Sequence, residues 1–314
     1  MSERRRRRWA VGRRWLVRTA LVFTAVGLAA ASGEDAVRVA TFNADNYLVM
    51  DRLLEGGRWR PDYPKPESEK RMVRRILAMV DADIVALQEL GPRPFLAELR
   101  DDLAREEGVD YPYAVHMRGE DPERHLALLS RIEPLEVVRH DDLDFKYLDG
   151  RERVKRGMLE VVFPGAGELG RWRLFVVHLK SRWTEHDADP EAARRREREA
   201  RACRNRILER VAGVASPAYL VAGDFNDHPA SAPVRRFLTK GDRRIGSLVD
   251  ARDTNGEVWT YFYRKRQVYS RVDGFIASPA LVSRIRGEEG RIADPPGALK
   301  ASDHRLVFLE LKRP

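Results

Sequence analysis

The sequence predicts an α/β fold in which helices cover sheets of buried strands. Short apolar runs recur along the chain, several of them apolar on both faces, and helical blocks interrupt them. The chain has 314 residues, enough for one large domain or two small ones with a sizeable core. Its single cysteine, Cys203, rules out an internal disulfide, so packing must hold the fold together.

The first half of the predicted domain alternates strands with helices. Residues 37–43 alternate in polarity and predict a strand, and residues 69–83 carry an apolar residue every fourth position, which predicts an amphipathic helix. Residues 84–90 follow as a buried strand, and residues 94–106 form the second predicted helix. A chain built this way needs helices packed on the outer faces of its sheets.

The second half contains one long helix and more strands. The helix is predicted over residues 190–211, because Asp189 and Pro190 form a favourable start. Its many arginines alternate with glutamates, which predicts a solvated, ion-paired face, while Cys203 lies on its apolar stripe and is expected in the core. Strands are predicted at residues 126–130, 157–163, 173–179, 218–223, 272–278 and 304–311.

The net charge of +9 is concentrated at the N-terminus. Residues 1–31 hold eight arginines and one glutamate, so the remainder, with 50 basic and 48 acidic residues, carries only +2. Any basic face that binds a polyanion must therefore be local.

The same N-terminal segment has the pattern of an export signal. An arginine-rich stretch precedes an apolar run that ends in small residues, "LAAAS", typical of a cleavable signal peptide. The apolar run over residues 15–31 is at the short end for a spanning helix, so an uncleaved membrane anchor is the alternative. We expect residues 1–31 to be a signal peptide or anchor, residues 37–314 to be the functional domain, and the mature protein to be exported, monomeric and not inserted in a membrane.

Polar side chains interrupt the apolar runs where predicted strands begin or end. Any one of them could belong to a turn or a satisfied core position, but the ends of strands in one sheet system meet on one face, where sites are built. Carboxylate and amide oxygens suit Mg²⁺ or Mn²⁺, and no zinc-type cysteine–histidine spacing, P-loop or G-x-S-x-G elbow is present. The residues are Asn43, Asp45, Glu89, His178, Asp224, Asn226, Asp273, Asp303 and His304.

The motifs around these residues resemble those of the endonuclease/exonuclease/phosphatase superfamily. "TFNADN", "VALQEL", "VVHLKSR", "VAGDFNDHP", "RVDGFIAS" and "SDHRLV" occur in the order seen in that superfamily. The combination of "GDFN" with a later "VD" and "SDH" is the most specific part. The resemblance implies a DNase I-like four-layer α/β sandwich, with two central mixed sheets flanked by helices, and a divalent-metal-dependent phosphoesterase.

The resemblance also implies a metal site. Glu89 would be the main carboxylate ligand of Mg²⁺ or Mn²⁺, and Asn43, Asp45 and Asp303 would line the same pocket.

The remaining residues would carry the chemistry. By resemblance, Asp224 would orient or deprotonate the attacking water and Asn226 would donate to the phosphate or the nucleophile. His304 would contact the scissile phosphate with Asp273 as its partner, and His178 would be the second histidine at the phosphate. An Asp–His pair of this kind fixes the tautomer and favours the charged imidazole.

The substrate is less determined than the chemistry. Residues 259–271 mix aromatic side chains with Arg264, Lys265 and Arg266, a composition that suits a nucleic-acid strand and also fits other phosphorylated groups or plain core. The segment 47–67 could form a substrate rim or a packed surface loop. We expect a nuclease-like phosphodiesterase. The alternatives are a phosphomonoesterase or phospholipase-type enzyme acting on lipid or inositol phosphates, and a catalytically inactive binding module.

We predict that the mature protein begins between Ser32 and Asp35, because the apolar segment ends there in small residues. N-terminal sequencing of the protein from its native host measures this directly. An intact Met1 on a cytosolic protein would contradict export, and an intact Met1 on a membrane-bound protein would establish the anchor.

Overall fold

The computed structural model describes residues 36–54, 56–165, 170–184 and 186–312. The predicted signal peptide or anchor, residues 1–31, lies outside the described residues. Within them, no helix is both long and apolar enough to cross a membrane.

Twenty-one strands and six α-helices make up the described chain. The strands are β1 (Ala36–Tyr47), β2 (Val49–Leu54), β3 (Arg58–Pro64), β4 (Ile84–Leu90), β5 (Tyr113–Met117), β6 (His125–Ser130), β7 (Glu136–His140), β8 (Asp144–Tyr147), β9 (Gly150–Arg153), β10 (Met158–Pro164), β11 (Arg171–His178), β12 (Tyr219–Asp224), β13 (Thr239–Lys240), β14 (Arg243–Arg244), β15 (Ser247–Leu248), β16 (Ala251–Arg252), β17 (Tyr261–Tyr263), β18 (Val268–Ser270), β19 (Asp273–Ala277), β20 (Gly290–Ile292) and β21 (Val307–Lys312). The helices are α1 (Glu67–Val80), α2 (Arg93–Asp102), α3 (Ala193–Arg210), α4 (Ala232–Leu238), α5 (Pro279–Val282) and α6 (Ala298–Ala301).

Two mixed sheets form the centre of the molecule. The first has the strand order β16-β20-β21-β1-β4-β6-β5, and the second has the order β15-β19-β12-β11-β10-β7. Each sheet contains a parallel pair at its centre, β1 with β4 and β11 with β12, while most other neighbours are antiparallel. Because parallel strands end on the same side, each sheet presents two carboxyl ends side by side.

Three apolar clusters separate the layers. The largest fills the space between the sheets and includes Val39, Leu128, Leu174 and Phe275. The second packs the outer face of the first sheet against α1, α2 and α6, and the third packs the outer face of the second sheet against α3 and α4. This confirms the predicted four-layer DNase I-like sandwich with two central mixed sheets flanked by helices.

Most helix boundaries differ from the sequence prediction by a few residues, for local reasons. The first helix ends at Val80 because Asp81 adopts a left-handed conformation, and the second continues past α2 as a π-helical turn, Leu103–Glu107. The third begins with a 3-10 turn, Pro190–Ala192, and the Asp189 carboxylate accepts the backbone N–H groups of Arg194 and Arg195, each at 2.9 Å. Asp189 therefore starts this helix, as predicted.

The long helix α3 has the apolar stripe that the sequence predicts, but its charged face is not wholly solvated, because Arg196, Glu199 and Arg204 are buried. Its arginines form ion pairs with neighbouring acids, such as Arg206 with Asp142 and Arg210 with Glu136. Cys203 is fully buried, and burial raises the pKa of its thiol.

The segment 47–67 is neither a plain loop nor packed core. It contains the antiparallel hairpin β2–β3, in which Leu53 pairs directly with Trp59 and both side chains are largely exposed, at 68% and 61%. A second small hairpin, β17–β18, occupies most of residues 259–271.

Candidate active site

The predicted site residues meet where the parallel pairs of the two sheets end. Asn43 lies near the end of β1 and Glu89 near the end of β4, in the first sheet. His178 and Asp224 end β11 and β12 of the second sheet and lie opposite each other in register. Asp273 begins β19 and pairs with Asp224. The four carboxyl ends therefore deliver polar side chains to one cleft between the sheets.

Close packing of the backbone allows this arrangement. Gly223, just before Asp224, has φ +143°, and a Cβ there would lie 1.9 Å from the carbonyl oxygen of Val177. Only glycine fits at such a distance, so any side chain at position 223 would push β12 away from β11. Gly274 is its partner on β19. Gly223 thus lets β12 approach β11 closely, so that Asp224 and His178 lie side by side.

Asp224 is buried and held by amide donors. Its carboxylate accepts the Asn226 backbone N–H at 2.8 Å and the side-chain amides of Asn43 and Asn226, each at 3.1 Å. Burial, reinforced by the negative charge of Asp273, raises the pKa of Asp224 to about 7. A carboxylate with this pKa can exchange a proton near neutral pH, as a general base requires.

Asn226 acts on Asp224 more than on the open cleft. Its side-chain N–H₂ donates both to the Leu179 carbonyl at 2.9 Å and to Asp224. Its backbone is left-handed, at φ 53°. These contacts orient the Asp224 carboxylate, and the expectation that Asn226 donates to the phosphate or the nucleophile stays a prediction.

His304 is paired with Asp273. Its Nδ1 lies 2.8 Å from the Asp273 carboxylate, and the Thr260 hydroxyl accepts the backbone N–H of Asp273 at 3.0 Å. Burial alone would lower the pKa of His304, but the charges of Asp273 and Asp224 outweigh it and raise this pKa well above the usual value. Nδ1–H donates to Asp273, and because the imidazole is charged, Nε2 carries a second proton, 3.9 Å from an Asp224 oxygen.

His178, unlike His304, favours the neutral form of its imidazole. Its Nε2 lies 3.5 Å from an Asp224 oxygen and 3.8 Å from a Glu89 oxygen, and its Nδ1 is buried without a hydrogen-bond partner. Burial, followed by the positive charge of Arg156, lowers the pKa of His178 well below its usual value. The cleft therefore holds one neutral and one charged imidazole, on either side of Asp224.

A second acidic group lies beside this centre, around a bulge near the end of β1 where its pairing with β4 is interrupted. The Glu89 carboxylate accepts the backbone N–H of Asn46 at 2.9 Å, and Asn43 Oδ1 accepts that of Asp45 at 3.0 Å. Glu89, Asp45 and Asn46 all have left-handed backbones, with φ of 61°, 46° and 53°. Such conformations are uncommon outside glycine and concentrate at functional sites.

The acidic group fits a hard divalent cation. Burial in the cleft and the negative charges of Asp45 and Glu89 raise the pKa of Asp303 to about 7, although 32% of its side chain stays exposed. A divalent cation would relieve this repulsion, and carboxylate and amide oxygens are its preferred ligands. Glu89, Asp45, Asp303 and the free lone pair of Asn43 Oδ1 are the residues that could hold it.

Another trio is more compact but unsuited to a metal. Asp224, Asp273 and His304 each place one possible ligand atom within 4.8 Å of the others. The Nδ1 of His304 is already bonded to Asp273, and a protonated imidazole has no lone pair for a metal. We therefore interpret this trio as a hydrogen-bonded charge pair with Asp224 beside it.

The predicted substrate-binding cations lie apart from the reaction centre. Arg264, Lys265 and Arg266 are exposed at the tip of the β17–β18 hairpin, and Arg264 donates to the Leu299 carbonyl. The root of the hairpin is at the site, because the Tyr261 ring lies 4.6 Å from the His304 ring. The hairpin therefore reaches the site through Tyr261, and substrate binding by Arg264, Lys265 and Arg266 stays a prediction.

Sequence reasoning missed two residues near the site, Lys65 and Arg156, and included a third, Tyr261, only as part of the aromatic segment 259–271. Tyr261 forms a wall beside His304, and Lys65 donates to the Asp45 carbonyl at 2.8 Å. Arg156 is buried just before β10, its Nε forms an ion pair with the Asp121 carboxylate at 3.2 Å, and its positive charge acts on His178. The other site residues were predicted because each is a polar residue at the end of an apolar strand. None of these three stands in such a position. A basic residue directly before a glycine and a buried strand, as in "KRGML", could have indicated Arg156.

Comparison with known proteins identifies the family of the chain. A sequence profile described as the Endonuclease/Exonuclease/phosphatase family matches residues 40–304, most of the chain. The chain belongs to this family. Its members are hydrolases of phosphoester bonds. No curated protein sequence matches the chain.

Solved structures of other endonuclease/exonuclease/phosphatase-like proteins share the fold at low identity. Sphingomyelinase C from Streptomyces griseocarneus is 18% identical with a TM-score of 0.61, covering 88% of this chain and 99% of that one. Staphylococcus aureus beta toxin, in a mutant form with bound magnesium ions, is 11% identical with a TM-score of 0.61, covering 88% and 100%. The human Nocturnin catalytic domain with bound sulfate is 14% identical with a TM-score of 0.55, covering 89% and 95%.

We predict that Asp273→Asn lowers the pKa of His304, because Asp273 supplies the largest charge that holds the imidazolium in the buried cleft. In the wild type the His304 ring stays protonated at neutral pH. In the variant it loses its proton at a lower pH, as measured by NMR titration of labelled histidines. Asp144→Asn, which breaks an exposed ion pair with Arg151, is the control. An unchanged His304 titration in Asp273→Asn would refute the assignment.

Proposed function

We propose that this hydrolase cleaves phosphodiester bonds in nucleic acid with the help of Mg²⁺ or Mn²⁺. The observation that carries the chemistry is the position of Asp224 between the two imidazoles. His178 lies 3.5 Å from it and is neutral, while His304 lies 3.9 Å from it and is charged. A base near pKa 7 beside a fixed cation suits attack of water on a phosphate.

The side chains divide the work as follows. A divalent cation held by Glu89, Asp45, Asp303 and Asn43 would stabilise negative charge on the phosphate oxygens. Asp224 accepts the proton of the attacking water, while Asn43 and Asn226 keep its carboxylate oriented. His304 donates from Nε2 to a phosphate oxygen, and Asp273 keeps it charged. His178, which is neutral, is the second histidine that donates to the phosphate.

The β17–β18 hairpin supports nucleic acid as the substrate. Tyr261 and Tyr263 lie on one face of β17, with ring centroids 6.4 Å apart and planes within 20°, and Tyr261 also contacts His304. Beyond them are the exposed cations Arg264, Lys265 and Arg266. An aromatic surface that begins at the reacting phosphate and ends in a cationic tip fits stacked bases and further phosphates of a strand.

A lipid phosphodiester is the second candidate, because the β2–β3 hairpin beside the site exposes apolar side chains. Val49, Leu53 and Trp59 are 42%, 68% and 61% exposed, and exposed apolar groups near a site suit a lipid surface. The fold similarity to sphingomyelinase C makes sphingomyelin a necessary member of any substrate panel.

We predict that Glu89→Ala abolishes metal-dependent turnover, because it removes the carboxylate that faces both the Asn46 turn and His178. Excess chelator should do the same to the wild type, and Mg²⁺ or Mn²⁺ should restore it. Isothermal titration with Mn²⁺ measures the loss of binding separately from activity. Glu123→Gln, at an exposed ion pair with Arg124, is the control. Full turnover in excess chelator would contradict the proposal.

We predict that the wild type cleaves single-stranded DNA or RNA with low sequence specificity. Neutralising Arg264, Lys265 and Arg266 together should raise KM, change kcat less, and reduce the slope of log affinity against log salt by about 2, since each phosphate contact on a single strand contributes about 0.7. Initial rates on oligonucleotides at several salt concentrations give all three quantities.

The chain offers a matched control for this variant. The β13–β14 hairpin also exposes three cations, Lys240, Arg243 and Arg244, near Tyr219 at the opposite end of β12 from Asp224. Neutralising them should leave KM and the salt slope unchanged. Intact DNA and RNA alongside turnover of sphingomyelin vesicles or inositol phosphates would favour the alternative enzyme. No turnover of any phosphodiester would favour a binding module.

A further inference from the structure

The Asp45–Asn46 turn, a bulge within the last residues of β1, is unusual in its backbone. Asp45 and Asn46 are consecutive non-glycine residues, and both are left-handed, at φ 46° and 53°. The side chain of Asn46 donates back to the Asp45 carboxylate at 2.9 Å. Two adjacent residues in this conformation persist only when their surroundings hold them there.

A buried lysine holds the first of these residues. The side chain of Lys65 has no exposed surface, and its ammonium lies 2.8 Å from the Asp45 carbonyl, 3.9 Å from the Asp45 carboxylate and 3.3 Å from Glu69. Burying an ammonium group is costly unless its donors are paired, so this contact set fixes the position of Asp45 as much as that of Lys65.

An arginine from the β2–β3 hairpin holds the second residue. The Arg52 guanidinium donates to the Asn46 carbonyl and, at 3.1 Å, to that of Leu48, while its Nε donates to Tyr63 at 3.2 Å. Successive carbonyls of the left-handed turn are thus each bound by a different cation. Both cations belong to the segment that links β1 to α1.

We propose that Lys65 and Arg52 are positioning residues for the metal site, which they serve by holding the Asp45–Asn46 turn in its left-handed conformation. The inference rests on the proposed function, because it takes Asp45 and Glu89 as metal ligands. Asn46 connects the two, since its backbone N–H is bound by Glu89. Neither cation touches the reacting phosphate, so both act through the ligands.

An electrostatic role and a positioning role of Lys65 predict opposite changes in the affinity for a divalent cation when Lys65 is replaced. If Lys65 acted only as a nearby positive charge, Lys65→Met would tighten binding of a divalent cation, because repulsion would be lost. If it positions Asp45, the same variant weakens binding. Loss of a residue that orients a metal ligand typically lowers affinity by about 10- to 100-fold.

The first experiment is calorimetric titration of Mn²⁺ into the wild type, Lys65→Met and Lys70→Met. Lys70 is a matched control because it is also buried and pairs with Glu98, without contacting the turn. We expect the dissociation constant to rise about 10-fold or more in Lys65→Met and to stay unchanged in Lys70→Met. An unchanged or lower value in folded Lys65→Met overturns the proposal. Absence of Mn²⁺ binding in the wild type overturns the proposed metal site instead.

Two further variants test the backbone argument. Glycine adopts the left-handed conformation without cost, so adding Asn46→Gly to Arg52→Met, the variant that loses the contact to the Asn46 carbonyl, should recover part of the lost affinity. If Lys65→Met does not fold, Arg52→Met decides, since it removes only the contacts to the turn and hairpin carbonyls. Wild-type affinity in folded Arg52→Met would then overturn the proposal.

Discussion

Two buried carboxylates face each other across the β12–β19 ladder, and the site depends on the cation that offsets their repulsion. Asp224 and Asp273 are directly paired in register, so their charges would repel strongly in the dry interior. His304 contacts both, as a hydrogen-bonded cation to Asp273 and a more distant one to Asp224. The single positive charge is bound mainly by Asp273. Asp224 is therefore left with the high proton affinity that a base needs.

The same arrangement explains why the two histidines differ. Each lies near Asp224, but only His304 has a carboxylate hydrogen-bonded to its second nitrogen. The corresponding nitrogen of His178 has no hydrogen-bond partner, and the positive charge of Arg156 disfavours protonation of this ring. The fold thus gives two identical side chains different charges by giving them different neighbours. The backbone contributes as well, since Glu89 near the end of β4 and Asn226 just after β12 are both left-handed, a conformation that a regular strand does not contain.

Much of this could be predicted from the sequence, and the rest could not for physical reasons. Strands such as Ile84–Leu90 were predictable because burial on both faces leaves a continuous apolar run. Residues at their ends, such as Glu89 and Asp224, were predictable because a polar group there interrupts that run. Lys65 was not, because it lies in a connecting segment where a charged residue is ordinary. The exposed β2–β3 hairpin buries too little apolar surface to leave a periodic signal.

The burial of Cys203 makes the enzyme indifferent to the redox state of its surroundings. Its thiol lies in the packed layer between α3 and the second sheet, and burial keeps it protonated and out of reach of oxidants. Neither disulfide exchange nor sulfenic acid formation can then regulate the protein. A cysteine introduced on an exposed hairpin would be the sole reactive thiol of the folded chain, so a single spectroscopic label could report motion beside the cleft without removing any native residue of the core.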